Sequence, residues 1–311
     1  MFRKLIAIVL TFSLLLTSSL ATAALAYVDE LWGVPFLAYG ASLSDAELQE
    51  IHEIFGLDDG REFDSVYVNG ADLVYFLQRG NPNSNMFSSV LITHRDVGTG
   101  IEVSILTPDY ITRVTATQYA TAMITAGVTD ALVEVAAPRA VSGEAALAGI
   151  YKAFSERGVE LDEDRMAVAQ EQLEILSSIS NYHQDNDDFD SDALDHAVIE
   201  IQSELATHYQ ETGELATAEE IQDIIEQVLE DNDLDDVLTT DQIQRLSGFA
   251  GNFQLTDAIN SQDFLNQLSN LGDRLGIGDR LGNLNIDLNL DRGRIATWWD
   301  NVVSWFRNLF N

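Results

Sequence analysis

The sequence predicts an α+β fold: a mixed α/β body, then a helical C-terminal half and a terminal amphipathic helix. Three observations carry that prediction. Up to about Phe154, short β-rich runs alternate with short helical patterns. From about Asp162 to Leu275, apolar residues recur at helical spacing and strand signals are absent. Hydrophobic residues make up 46% of the 311-residue chain, enough to bury a core despite its charge. Strands first and helices later is the α+β order.

The chain opens with a processing signal. Arg3 and Lys4 precede an apolar run from Leu5 to Leu16, and Ala24-Leu25-Ala26 offers the small residues that a signal peptidase reads. Residues 1–26 are therefore expected to be removed on secretion, leaving Tyr27 first. An uncleaved anchor is the competing reading, but the run is short for a span of ~20 residues. No cysteine follows it, which excludes a lipoprotein anchor, and the chain contains none anywhere. Stability must come from a core, and thiolate metal sites are excluded.

Residues 27–157 are expected to form the mixed domain. Val34 to Tyr39 reads as a buried strand. Ser44 with Glu47 forms a capping box, in which hydroxyl and carboxylate each satisfy an orphan backbone donor. The helix it opens carries Leu48, Ile51, Ile54 and Phe55 on one face. Phe63, Val66 and Val68 suggest a second strand ending at Gly70, and Ala71 to Arg79 a short helix. Ser89 to His94 and Ile101 to Leu106 are β-rich runs separated by Asp96 to Gly100, which reads as a hairpin. Thr115 with Gln118 caps the next helix, which Gly127 ends. Leu132 to Val135 is a further strand, and Ser142-Gly143 leads into a helix from Glu144 to Phe154.

Residues 158–271 are expected to be helical. Met166, Ala169, Leu173 and Leu176 fall at helix spacing, as do Leu194, Val198, Ile201 and Leu205. Thr217 with Glu220 caps a helix carrying Ile221, Ile224, Ile225, Val228 and Leu229. Thr239 with Gln242 caps another carrying Ile243, Leu246 and Phe249. Acid-rich breaks at Asp185 to Asp192 and Asp231 to Asp236 read as exposed loops. Residues 272–294 read as a Gly/Asn-rich linker, since Gly and Asn make a helix costly. Residues 295–311 form an amphipathic helix candidate whose broad face carries Trp298, Trp299, Val302, Trp305, Phe306, Leu309 and Phe310.

Fifty-one Asp and Glu against sixteen Lys and Arg give a formal net charge of -35. That balance argues against nucleic acid, whose phosphates need a Lys/Arg surface, and against adsorption to an anionic bilayer through a basic patch. Lys occurs only at Lys4 and Lys152. Acid-rich, Lys-poor surfaces hold water when salt screens charge repulsion, which reads as adaptation to a saline exterior.

The stretches Thr125 to Ala131, Val133 to Pro138 and Val141 to Phe154, with the Gly40-Ala41-Ser42-Leu43-Ser44 turn, resemble the domain-of-unknown-function 1002 family. These are YpuA-like secreted proteins of Gram-positive bacteria. The resemblance is good over about Phe36 to Phe154 and weaker to about Phe253. It implies location and architecture and transfers no catalytic residue. The acidic, Lys-poor composition and the Gly-Asp-Arg-Leu repeat in the linker depart from it.

Candidate chemistry is sparse. Ser142 sits in Val-Ser-Gly, not in a nucleophile elbow, and reads as a residue leading into a helix. His52-Glu53 lacks the second His of a zincin helix. Asp188, Asp190 and Asp192 mimic the start of a calcium loop, but Ala193 and Ile199 occupy its glycine and glutamate positions. The sharpest pattern is Asp192, His196, Glu200, Glu204 and His208, spaced four apart, so neighbours lie on adjacent turns of one helix. Such a stripe offers imidazole and carboxylate to a divalent metal, but another helix would have to complete the site. Its bland reading is a solvated acidic face.

The sequence thus reads as a secreted, extracytoplasmic protein, more like a binding protein than an enzyme. Its expected partners are an envelope protein, its own copies, or the outer membrane surface, reached through the terminal helix. No cofactor is expected beyond weak divalent cation binding. The alternative is a metal-dependent hydrolase of cell-wall or extracellular polymer that uses the His196 to His208 stripe.

Overall fold

The structure, a computed structural model, describes residues 33–281 apart from Asp59, Glu144, Asp279 and Arg280. The signal at 1–26, most of the linker and the aromatic segment 295–311 lie outside the described residues. The described residues hold both classes of element that the sequence predicts, in two compact units, and the fold is α+β. Among them, no helix is long and apolar enough to cross a membrane.

The first unit holds a five-stranded mixed sheet: β1 (Phe36–Gly40), β2 (Asp64–Val68), β3 (Ser89–His94), β4 (Glu102–Ile105) and β5 (Ala131–Ala136). The spatial order is β2-β1-β3-β5-β4. β1 runs parallel to β2 and antiparallel to β3; β5 runs antiparallel to β3 and parallel to β4. The hairpin expected between β3 and β4 is therefore not formed, because β5 lies between them. Burial explains this. Ala131, Val133, Val135 and Ala136 of β5 are fully buried, so β5 takes the inner place between two strands. β4 is only partly covered and takes the sheet edge. The intervening residues 98–101 belong to the second unit.

Helices cover both sheet faces. α1 (Asp45–Ile54) starts at the predicted capping box: Glu47 accepts from Ser44 N–H at 2.9 Å, and Ser44 Oγ accepts from Glu47 N–H at 3.4 Å. Its Ile51, with Phe55 and Leu57 just beyond, packs on Leu37, Leu91 and Ala136. α2 (Gly70–Leu77) is capped by Asn69, a cap the sequence reading missed. α4 (Ala146–Glu156) lies on the opposite face. Its Gly149 sits so close that an added Cβ would be 3.4 Å from Val90 and 3.6 Å from Ala38 and Val68.

The second unit is helical. It comprises nearly all of α3 (Ala116–Thr125) with α5 (Glu163–Tyr182), α6 (Ser191–Thr212), α7 (Ala218–Asp231), α8 (Thr240–Phe253) and α9 (Gln262–Leu275). The predicted capping boxes at Thr217/Glu220 and Thr239/Gln242 are both formed. Helix α9 continues through Gly272 to Leu275, so the first residues assigned to the linker are helical. Gly276, at φ 77°, ends that helix.

α3 is the helix that local sequence misplaces. It precedes β5 in the chain, yet it belongs to the helical unit, and every residue from Gln118 to Thr125 is buried. Gly127, at φ 90°, closes it, with Val128 N–H donating to Met123 O at 2.9 Å. Arg165 of α5 then serves the last carbonyls, donating to Thr125 O at 2.7 Å and Ile124 O at 3.0 Å. A cation at a helix C-terminus also complements the helix dipole.

Candidate functional site

The acidic stripe lies on α6, a helix set by local chemistry. Asp190 caps its start, accepting from Asp192 N–H at 2.9 Å, and Gly213 in the left-handed region ends it. Leu194, Val198, Ile201 and Leu205 fill the core, as their spacing predicts.

The five stripe residues meet different surroundings. Asp192 is exposed in the first turn, and His196 is half-buried. Glu200 is buried, and its Oε2 accepts from Asn232 Nδ2 at 3.2 Å; the same nitrogen donates to Val228 O at 2.8 Å. Glu204 opens onto a groove. His208 is half-buried, and its charge helps to lower the pKa of Glu220, after the larger effect of the Thr217 cap.

That groove runs between α6 and α7 with a volume of about 530 Å³. Glu200 and Glu204 line one side; Asp223, Ile224, Gln227, Val228 and Asp231 line the other. It is a carboxylate-rich trough with an apolar floor. Glu204, exposed at the groove, is held above the ordinary carboxylate pKa, first by partial desolvation, then by the charges of Glu200 and Glu211. The second helix that the stripe requires is thus present, and it contributes carboxylates. The groups do not converge: among the described residues, no set of three or more His, Asp or Glu side chains is placed to hold a metal ion. Metal–ligand bonds of ~2.0–2.6 Å demand such convergence.

The other candidates have structural surroundings. Asp190 spends its carboxylate on the α6 cap. His52 lies on α1 with its ring 5.6 Å from Phe63 and 6.5 Å from Tyr39. Ser142 precedes α4, whose first turn has no side-chain cap. The aromatic contact residues Trp298, Trp299, Val302, Trp305, Phe306, Leu309 and Phe310 lie outside the described residues.

Two polar features escaped sequence reading. Glu134 sits on β5 opposite Leu91 and Ser104, where burial raises its pKa against the opposing pull of Arg61. The second is a buried knot around Thr125. Thr125 Oγ1 lies 2.8 Å from Gln172 Oε1 and accepts from Gln202 Nε2 at 2.9 Å, while Gln118 Nε2 donates to Asp195 at 2.9 Å. Hydrophobic periodicity cannot find such residues, because they are polar groups at core positions.

The model of a family described as protein of unknown function (DUF1002) matches residues 39–271. The chain belongs to that family. An uncharacterized protein, YpuA of Bacillus subtilis (strain 168), is 31% identical over 157 residues, which cover 49% of this chain and 53% of YpuA. The chain thus matches about half the length of that relative. No solved structure matches. The match begins at β1 and ends in α9, so it takes in the sheet, the polar knot and the groove.

Proposed function

We propose that this chain is a secreted, non-enzymatic protein of the cell envelope that holds a partner or the outer membrane surface through its aromatic C-terminal segment. The observation that supports it most is the clustering of three of the chain's four Trp at Trp298, Trp299 and Trp305, with Phe306 and Phe310 at matching spacing. Trp at such density suits an interface, where the ring is buried and the indole N–H stays wet. Arg292, Arg294 and Arg307 make this segment locally positive on a very acidic chain, which suits a phosphate-bearing surface. The Arg3 to Ala26 export pattern and the Lys-poor, acid-rich composition support an exterior location.

The hydrolase alternative rests on the α6/α7 groove, whose carboxylates come from two helices but, among the described residues, are not gathered as metal ligands. The binding reading therefore leads. Flotation with phosphatidylglycerol-containing vesicles tests it. Protein beginning at Tyr27 should float, and a version ending at Asp291 should not. Equal behaviour of the two versions, both with vesicles and in pull-downs from envelope extracts, sinks the proposal. Sequencing the N-terminus of exported protein checks the location: it should begin at Tyr27.

A further inference from the structure

We infer that the outer edge of β2 is a strand-pairing surface for a second copy of this chain, and that Lys152 holds it closed. Among the described residues, β2 is the outermost strand on its side of the sheet, and β1 is its strand partner. Asp64 N–H donates to Pro35 O at 3.0 Å, and Val68 O accepts from Ala41 N–H at 2.8 Å. Backbone groups alternate along a strand, so Asp64, Val66 and Val68 turn theirs toward β1. Ser65 and Tyr67 consequently turn both N–H and C=O outward.

That outward pattern is self-complementary. In an antiparallel pair of β2 strands centred on Val66, Ser65 stands opposite Tyr67 of the second copy, and Tyr67 opposite Ser65. Each such pair can exchange hydrogen bonds in both directions. The side chains agree. Tyr67 is 52% exposed, on the face where Tyr39 packs edge-on against it at 4.3 Å between ring centroids. It would lie beside the small, exposed Ser65 of the other copy. Asp64, the acidic residue of the strand, is already paired with Arg157 at 2.7 Å. The strand, Asp-Ser-Val-Tyr-Val, carries no proline and no lysine of its own, the usual guards of a sheet edge.

The guard comes from α4. Lys152 Nζ donates to Tyr67 O at 2.9 Å and to Asp72 Oδ1 at 2.7 Å, with both side chains less than a fifth exposed. An ammonium has three donors and no acceptor, so it can serve the carbonyl and the carboxylate together. It thereby takes one acceptor from each copy, half of the hydrogen bonds the pair could form. Apart from Lys4, Lys152 is the only lysine in a chain that otherwise uses arginine.

Sedimentation velocity on the chain from Tyr27 to Asn311 tests this. Lys152→Met keeps the apolar stem and removes the donor. It should shift the boundary toward twice the mass, with a dimer dissociation constant at least about tenfold tighter than that of the unaltered protein. Adding Ser65→Pro, which deletes an outward N–H, should restore the original behaviour. If Lys152→Met does not fold, Lys152→Met combined with Asp72→Asn, which also removes the carboxylate charge left without its cation, carries the same expectation. A folded guard variant that sediments like the parent at every concentration overturns the inference. So does association that Ser65→Pro fails to reverse, which would place the contact elsewhere, as on the aromatic segment.

Discussion

Thr125→Val isolates the buried polar knot of the helical unit. Valine has nearly the shape of threonine, so the change removes a hydroxyl and little volume. Thr125 is fully buried, and its single proton is within reach of Thr121 O at 3.0 Å and Gln172 Oε1 at 2.8 Å. Its oxygen accepts from Gln202 Nε2 at 2.9 Å. Gln172 and Gln202 are at most 1% exposed, and their far ends, Gln172 Nε2 and Gln202 Oε1, have no hydrogen-bond partner among the described residues. Thr125 is thus the anchor of both amides. Its loss leaves a buried acceptor and a buried donor unpaired, each costing about 1–3 kcal/mol. The expected destabilisation is about 2–6 kcal/mol, a large fraction of a typical domain stability of roughly 5–15 kcal/mol. Urea unfolding followed by far-ultraviolet circular dichroism should show a lower midpoint with an unchanged slope. Thr125→Ser keeps the hydroxyl and should cost about 1 kcal/mol, the transfer of one methyl. If valine costs no more than serine, the amides re-pair without Thr125 and the reasoning fails.

Glu204→Gln should stabilise the protein at neutral pH. The folded state raises the pKa of Glu204 above its ordinary 4.5, so the stability its neutral form contributes is full below 4.5 and lost as pH rises through the folded value. The gain in thermal midpoint on substitution should therefore be larger at pH 7 than at pH 4, and equal gains would show that the groove carboxylates do not interact. Glu220 has the opposite sign. Its lowered pKa gives stability that is present above 4.5 and lost as pH falls through the folded value. Thr217→Ala breaks that box and should cost about 1 kcal/mol by chemical denaturation at pH 7; no measurable loss would mean the cap is idle. With a net charge of -35, the thermal midpoint should rise as NaCl shortens the screening length from ~30 Å at 0.01 M to ~3 Å at 1 M, and a flat profile would refute self-repulsion.

The candidate site was legible only in outline. The four-residue spacing from Asp192 to His208 placed neighbouring members on adjacent turns of α6, and because each step of four advances about 40° around the axis, the row winds from exposed Asp192 to buried Glu200. What faces them depended on α7, which supplies Asp223 and Asp231 to the groove and sets Asn232 against Glu200. That pairing joins residues far apart in the chain, and no local pattern encodes it. The buried amides of Gln172 and Gln202 were invisible for a related reason: a polar side chain enters a core only where a specific partner meets it.

Sequence by itself determined what acts within a few residues. The capping boxes at Ser44, Thr217 and Thr239, the glycine end of α3 and the apolar faces of α6 to α8 all stand where the residues put them. Each depends on interactions three to six residues apart, so the local sequence holds all the information. Tertiary structure alone decided the rest. β5 separates β3 from β4, α3 joins the helical unit, and Lys152 reaches the carbonyl of Tyr67. Adjacent β-rich runs with glycines between them suit a hairpin as well as two strands split by a third. The choice fell to the arrangement that puts the more apolar β5 inside and the half-covered β4 at the edge, a property of the whole sheet and of no single segment.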